Sequence, residues 1–378
     1  MDDERPMTDP EENGYRGFEQ GPIRPPSEAQ SLLIRVTRNC PWNRCAFCPV
    51  YKGASFSIRP PEHVKRDIDA VHRCLALLEA GGDIAAEPVD MEALRAAAHW
   101  RAMGMRSVFL QDANSLLVKP RDLAEILRHL RERFPFVRRV TSYARSHTLA
   151  VRREEDLRML RETGLDRVHI GLESGSDAVL ARIAKGCTKA QHILAGQKAR
   201  AAGFEVSEYY MPGLGGRDLS HDHAVESADA LNQINPHFIR LRTLAIPNHT
   251  PLFAEWSAGR FQKCTDRMVA EEILLFLEHL QGISSVVKSD HILNLFGELE
   301  GKLPEDKPKM VALVRRFLDM TPEDQMLYQA GRRMGVFSRL DDLNDPRKRA
   351  FAEATCRRIG ITPDNIDKII DEVMKRFI

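Results

Sequence analysis

The sequence predicts an α/β fold, an open or partial (β/α)6 barrel followed by a small helical domain. Three observations predict it. Six short apolar runs alternate with helical stretches between about residues 30 and 250. Polar and glycine-rich residues cluster just after each run, the edge where parallel α/β folds build their sites. Beyond about residue 290 the alternation gives way to helix alone.

Taken in order, residues 31–37 (SLLIRVT) form the first strand, ending where a cysteine-rich loop begins. Helices follow at 61–79 and 91–103, then a strand at 107–110 and a helix that starts after Pro120, a residue suited to a first helical turn. Residues 137–143 are the third strand, with a helix at 154–162, and residues 166–172 the fourth, with a helix from Asp177. A helix over 188–202 stops at Gly203. Strands at 204–211 and 237–244, with a helix at 221–233 between them, complete the six. Strand–helix–strand repeats of this kind imply a parallel sheet with right-handed crossovers. Residues 1–28 are rich in Asp, Glu, Pro and Gly and read as a disordered lead-in, so the barrel is placed at 29–288. Helix caps at Thr321-Pro-Glu-Asp and Thr362-Pro-Asp-Asn mark a helical domain at 289–378.

The chain has 378 residues, 43% hydrophobic and 29% charged, which allows a substantial core. No run approaches the ~20 apolar residues of a membrane span, and the N-terminus has no apolar signal region. Basic and acidic residues nearly cancel, 55 against 54, and from Ser285 onward there are 17 against 16. That balance argues against a nucleic-acid grip through phosphates. Seven cysteines, an odd number, argue against a secreted disulfide framework and for a reducing, cytoplasmic setting.

Three of those cysteines lie within nine residues, in Cys40-Pro-Trp-Asn-Arg-Cys45-Ala-Phe-Cys48. Three thiolates leave one iron of a cubane without a protein ligand, as a ligand-activating cluster needs. A zinc site would want a fourth Cys or His at finger spacing. On the cysteines alone both readings stand.

The loop, with an aromatic residue before its last cysteine, resembles the signature of the radical SAM superfamily. The usual spacing there is C-x3-C-x2-C; this chain has one more residue in the first gap. The segments Ile170-Gly-Leu-Glu-Ser-Gly-Ser-Asp177, Leu180 to Gly186, Ala202-Gly-Phe and Met211-Pro-Gly-Leu-Gly-Gly216 are similar to one branch. It includes the oxygen-independent coproporphyrinogen oxidases, the methylthiotransferases and the elongator catalytic subunit. The resemblance covers about residues 30 to 250 and implies a TIM-like partial barrel. It implies a [4Fe–4S] cluster on Cys40, Cys45 and Cys48, with S-adenosylmethionine (SAM) chelating the fourth iron. An electron donor such as flavodoxin or ferredoxin is then expected.

The resemblance further places Phe47 beside the adenine. Where the family often has Gly-Gly-Glu, this chain has Gln111-Asp-Ala-Asn114, making Asp112 and Asn114 candidates for the SAM amino group. Ser142 and Arg145 follow strand three, Arg145 as a partner of the SAM carboxylate. Glu173 and Ser174 suit the ribose or amino group, and Gly213 and Gly215 allow close backbone approach to the adenine. Each has a plainer role as helix cap, surface charge or tight turn. Tyr209, Tyr210, Cys187 and His249 are weaker candidates for substrate contacts.

Cys74, Cys187, Cys264 and Cys356 show no paired spacing for a second cluster, and Ser220-His-Asp-His223 does not fit a cobalamin motif. No acetyltransferase-sized region accompanies the barrel. The expected function is a single-cluster radical SAM enzyme acting on a small molecule. An RNA-modifying relative, with the C-terminal helices as platform, and a non-catalytic Fe–S or zinc-binding protein are the alternatives.

Overall fold

The computed structural model describes residues 14–81 and 88–374. The chain runs through β1 (Leu32–Arg35), a short ribbon of β2 (Thr37–Arg38) and β3 (Ser57–Ile58), then α1 (Pro61–Ala80) and α2 (Met91–Ala102). Next come β4 (Ser107–Gln111), α3 (Pro120–Arg133), β5 (Arg139–Ala144), α4 (Ser146–Val151) and α5 (Glu154–Glu162). β6 (Arg167–Glu173), α6 (Asp177–Arg182), α7 (Lys189–Ala201), β7 (Glu205–Tyr210), α8 (Gly216–Ile234) and β8 (Phe238–Leu241) follow. The remainder is α9 (Pro251–Ser257), α10 (Asp266–His279), β9 (Val286–Lys288), β10 (Gly301–Lys302), α11 (Lys307–Leu318), α12 (Pro322–Arg333), α13 (Pro346–Ile359) and α14 (Ile366–Met374).

The main sheet has the order β1-β4-β5-β6-β7-β8-β9-β10. Every pair is parallel except β9 with β10. Among the described residues no pairing joins β1 to β10, so the barrel is partial, with its C-terminal strand ends on one edge. Its first six strands, β1 and β4 to β8, are those expected from the apolar runs. β9 and β10 extend it, and β10 lies in the region read as helical.

Strand alternation decides what faces where. On β6, Val168, Ile170 and Leu172 are buried in the apolar layer beneath the helices. Arg167, His169, Gly171 and Glu173 take the opposite, inner face. The helices meet the sheet through narrow stripes, such as Leu123, Ile126, Leu127 and Leu130 on α3. Asp90 caps α2, Ser176 caps α6, and Thr188 with Gln191 forms a capping box on α7.

Residues 14–28, read from composition as a disordered lead-in, form an ordered strap across the barrel; residues 1–13 lie outside the described residues. Phe18 is buried, and Tyr15 Oη donates to Asp67 at 2.9 Å. Glu28 is fully buried inside the barrel, where it accepts from Ser31 Oγ at 2.5 Å and faces Arg139 and His169 at 3.4 and 3.3 Å. Composition could not show this, because the strap's acids are matched by basic residues far away in sequence.

The helices after β10 share one core with the second half of the barrel. Tyr210, Ile239 and Phe276 belong to the same apolar cluster as Phe317, Tyr328 and Met374. Among the described residues no helix is long and apolar enough to cross a membrane.

Candidate active site

The cysteine loop leaves the C-terminal end of β1 and is closed by the β2–β3 ribbon. Asn39 and Asn43 take positive φ (66° and 46°), a conformation asparagine tolerates better than most residues. The Asn43 amide donates to the Tyr51 and Ala54 carbonyls, and Lys52 Nζ donates to Asn43 O and Cys45 O at 2.9 and 3.0 Å. The loop is then tied to the α6–α7 connection: Trp42 Nε1 donates to Ala184 O at 2.7 Å, and Ala46 N to Ile183 O at 2.8 Å. Arg44 and Arg145 lie 5.2 and 5.1 Å from the Trp42 ring centroid. Ala46 and Phe47 pack on Val179, Ile183, Met211 and Leu252.

Cys40, Cys45 and Cys48 are free thiols on the wall of one cavity of about 270 Å³ at the sheet's C-terminal edge. Its other walls come from the ends of β5 (Tyr143, Arg145), β6 (Glu173), β7 (Tyr209, Met211) and β8 (Arg242), and from the strap (Ile23 to Pro26). Gln111 clamps the strap, with Gly21 N donating to Oε1 at 2.8 Å and Nε2 donating to Ile23 O at 2.6 Å.

The donor set fits a cubane better than a single ion. Among the described residues no three His, Cys, Asp or Glu side chains converge closely enough to hold one metal, as tetrahedral zinc requires. A cubane spreads three thiolates over three irons and makes no such demand. Burial pushes the Cys45 and Cys48 thiols up; Lys185 and Arg145 oppose it at Cys45, and the Val50 amide and Arg242 at Cys48. Those cations favour the thiolate that iron needs.

Of the residues the sequence nominated for SAM, Phe47, Arg145 and Glu173 line the cavity. Arg145 Nη2 donates to Lys185 O at 2.9 Å. Glu173, at φ 60°, holds Lys185 Nζ at 3.2 Å. Burial alone would lower the Lys185 amine, but Glu173 and the nearby thiols outweigh it and raise it.

The other six stand behind the wall. Asp112 is fully buried, accepting from Arg35 Nε at 2.8 Å, Tyr51 Oη at 3.0 Å and Asn39 N at 3.1 Å. Asn114 accepts from Arg145 N at 3.1 Å and donates to Thr148 Oγ1 at 2.8 Å; only Ala113 between them reaches the cavity. Ser142 donates to Tyr143 O at 3.0 Å, and Ser174 Oγ meets His223 Nδ1 at 2.8 Å. Their chain neighbours Tyr143 and Glu173 line the cavity instead, the expected consequence of strand parity. Gly213 N donates to Glu272 Oε1 at 2.8 Å, and a Cβ on Gly215 would come 2.8 Å from Leu219 O; both glycines serve packing against α8 and α10.

Cys187 also lines the cavity. Its Sγ is 3.1 Å from His192 Nε2, and His192 Nδ1 is 2.6 Å from Ser146 Oγ. Burial, then Lys185 and Arg145, push this imidazole down to about 3, while burial raises the thiol. The pair is therefore neutral near pH 7. Tyr209 faces the cavity, whereas Tyr210 stacks on Phe276 and donates to Glu272 at 3.0 Å. His249 is exposed and absent from the wall. Sequence reading gave no role to Lys185, although it lies in the segment Leu180 to Gly186, nor to Tyr143, Arg242 and His291, which are gathered only by the fold.

The family model for the radical SAM superfamily matches residues 34–228. No curated protein matches the sequence. Among solved structures, the chain is similar to Elp3 from Methanocaldococcus infernus, with 14% identity over 69% of this chain and 57% of that one, and a TM-score of 0.41. It is similar to methylornithine synthase, with 15% identity over 76% of this chain and 81% of that one, and a TM-score of 0.41. Coproporphyrinogen III oxidase from Escherichia coli gives 14% identity over 66% of this chain and 52% of that one, with a TM-score of 0.44. With the family model covering more than half its length, the chain belongs to the radical SAM superfamily, whose members use a [4Fe–4S] cluster and SAM.

Proposed function

We propose that the protein is an enzyme whose [4Fe–4S] cluster, held by Cys40, Cys45 and Cys48, cleaves SAM reductively so that a 5′-deoxyadenosyl radical takes hydrogen from a small-molecule substrate. The observation that carries this reading is the meeting of the three thiols with Phe47, Arg145 and Glu173 in one cavity.

The chain's own residues bind, orient and exclude water. Arg145 offers a guanidinium for the SAM carboxylate, and Glu173 a carboxylate for its amino group or ribose. Phe47 presents an apolar ring for the adenine. Lys185 sets negative charge against positive on the same wall and holds the Glu173 side chain in place. The strap over residues 23–26 limits solvent access, which a reactive radical requires. A small substrate fits a recessed pocket of this kind. An electron donor of the flavodoxin or ferredoxin type would supply the reducing equivalent.

Anaerobic reconstitution with iron and sulfide, followed by dithionite and SAM, tests the proposal. The full chain is expected to take up about four irons and to release 5′-deoxyadenosine. The triple variant Cys40→Ala, Cys45→Ala, Cys48→Ala should do neither while remaining folded. A wild-type protein that retains zinc and yields no 5′-deoxyadenosine would sink the reading.

A further inference from the structure

The cavity carries more positive charge than the residues proposed for SAM account for. Its side chains bring four cations, Arg24, Arg145, Lys185 and Arg242, against the single carboxylate of Glu173. Lys185 is paired with Glu173, and Arg145 is proposed for the one carboxylate that SAM possesses. Arg242 favours the Cys48 thiolate but has no carboxylate partner among the described residues.

Its situation differs from that of Arg240, two residues earlier on the same strand face. Arg240 is 4% exposed and spends its charge on Asp290, with a further bond to Ser207 Oγ at 3.1 Å. The Arg242 side chain is exposed to the cavity, and among the described residues it has no hydrogen-bond or ion-pair partner. Two donors stand on the same side. Tyr209 lines the cavity, and its hydroxyl is buried without a partner among the described residues. His291 accepts from Leu293 N through Nδ1 at 3.2 Å, which leaves Nε2–H as its free donor. Burial, then Arg242, lower this imidazole to about 4, so near pH 7 it donates a proton without adding charge.

These groups share the cavity with the proposed SAM residues. Arg242 acts on Cys48, Tyr143, Tyr209 and His291, while Cys45 feels Lys185 and Arg145. Arg242 and His291 also lie beyond residue 228, where the family-model match ends. Tyr209, the third member, lies inside it.

We propose that Arg242, His291 and Tyr209 form a subsite for an oxyanion, a carboxylate or phosphate, carried by the substrate. The inference rests on the radical SAM reading for what the cavity does, but the anion site is measurable without turnover. Arg242 binds the anion as a fork, and the Tyr209 hydroxyl and His291 Nε2–H complete the donor set. The substrate is thereby held with its charged end at the β8–β9 side and the remainder toward the cysteine loop.

The test uses the full reconstituted chain, with and without saturating SAM, and phenylglyoxal as a guanidinium reagent read by peptide mass spectrometry. Arg242 should be modified well before Arg240, and inorganic phosphate or succinate should protect it. Arg242→Gln should weaken binding of the protecting anion by roughly tenfold or more, the loss of a charge-assisted pair, with SAM affinity unchanged. Protection of Arg242 by SAM alone, with a matching loss of SAM affinity in the variant, would assign it to the SAM carboxylate and overturn the proposal. Absence of protection by either anion, with loss only of cluster loading in the variant, would make Arg242 a support for Cys48 and overturn it equally. If the wild type makes no 5′-deoxyadenosine yet phosphate protects Arg242, the radical reading fails while the oxyanion site stands.

Discussion

His192 shows how burial turns an ordinary titrating residue into a fixed neutral one. Its imidazole, fully buried between Cys187 and Ser146, is held at about 3, against an ordinary value of 6.5. A histidine depressed in the folded state takes up a proton on unfolding. Its contribution to stability is thus complete above pH 6.5 and is lost as pH falls from 6.5 toward 3. Urea unfolding of the wild type at pH 7, 6 and 5 should show stability falling, with this one proton worth up to about 1.4 kcal/mol per pH unit. His192→Asn should be less stable at pH 7 but show a shallower slope; an unchanged slope would refute the assignment. The same neutrality makes Cys187 a slow thiol, so iodoacetamide should alkylate it more slowly at pH 7.5 than a free cysteine.

Among the elements, the α6–α7 connection and the strap matter most to the site. Gly186, at φ 72°, lies so close to Trp42 that an added Cβ would come 2.3 Å from its ring. Gly186→Ala is expected to displace Trp42 from Ala184 O and from Arg145, and so loosen the cysteine loop. Cluster retention should fall while the far-ultraviolet circular dichroism stays as in the wild type. The strap is held by Glu28, the fully buried counter-charge to Arg139 and neighbour of His169. Glu28→Gln removes that charge from Arg139, while Arg167 keeps Glu205 at 2.6 Å, and should cost about 1 kcal/mol in urea unfolding. It should also speed proteolysis within residues 14–28, with the cysteine loop unaffected.

Over the whole molecule, the C-terminal helices and the barrel are packed as one cooperative unit. Tyr328 donates to Leu295 O at 3.1 Å, Arg333 pairs with Asp266 of α10 at 3.1 Å, and Phe317 and Tyr328 share a core with Phe276 and Tyr210. Calorimetry of the full chain should therefore give a single transition. Truncation after Lys302 should expose that core and yield an aggregating protein rather than a smaller stable barrel. Two separated transitions would contradict the shared core.

Six strands, their parallel order and the edge that carries the site follow from local pattern, because each strand's apolar run and each helix's stripe report directly on which face is buried. The cysteine loop was equally legible as a metal site, since three thiols lie within nine residues, but iron rather than zinc came only with the family resemblance of the whole barrel. Phe47, Arg145 and Glu173, named through the resemblance, reach the cavity because each sits beside a cysteine or at a strand end. Ser142 and Ser174 were assigned to the cavity although Tyr143 and Glu173 face it, because a strand end shows its position in sequence but its parity only once the sheet is paired. Asp112 looked available until Arg35, Tyr51 and Asn39 closed on it from distant parts of the chain. Arg242 and His291 stand in no motif, and they join Lys185 in one cavity only by long-range packing. The sequence by itself determined the architecture, which is written in short-range spacing, and the cofactor chemistry through the family resemblance of several strand ends taken together. Which side chains meet inside the cavity, and which charge is left over for a substrate, was decided by the tertiary structure, because burial and pairing depend on residues that only folding brings together.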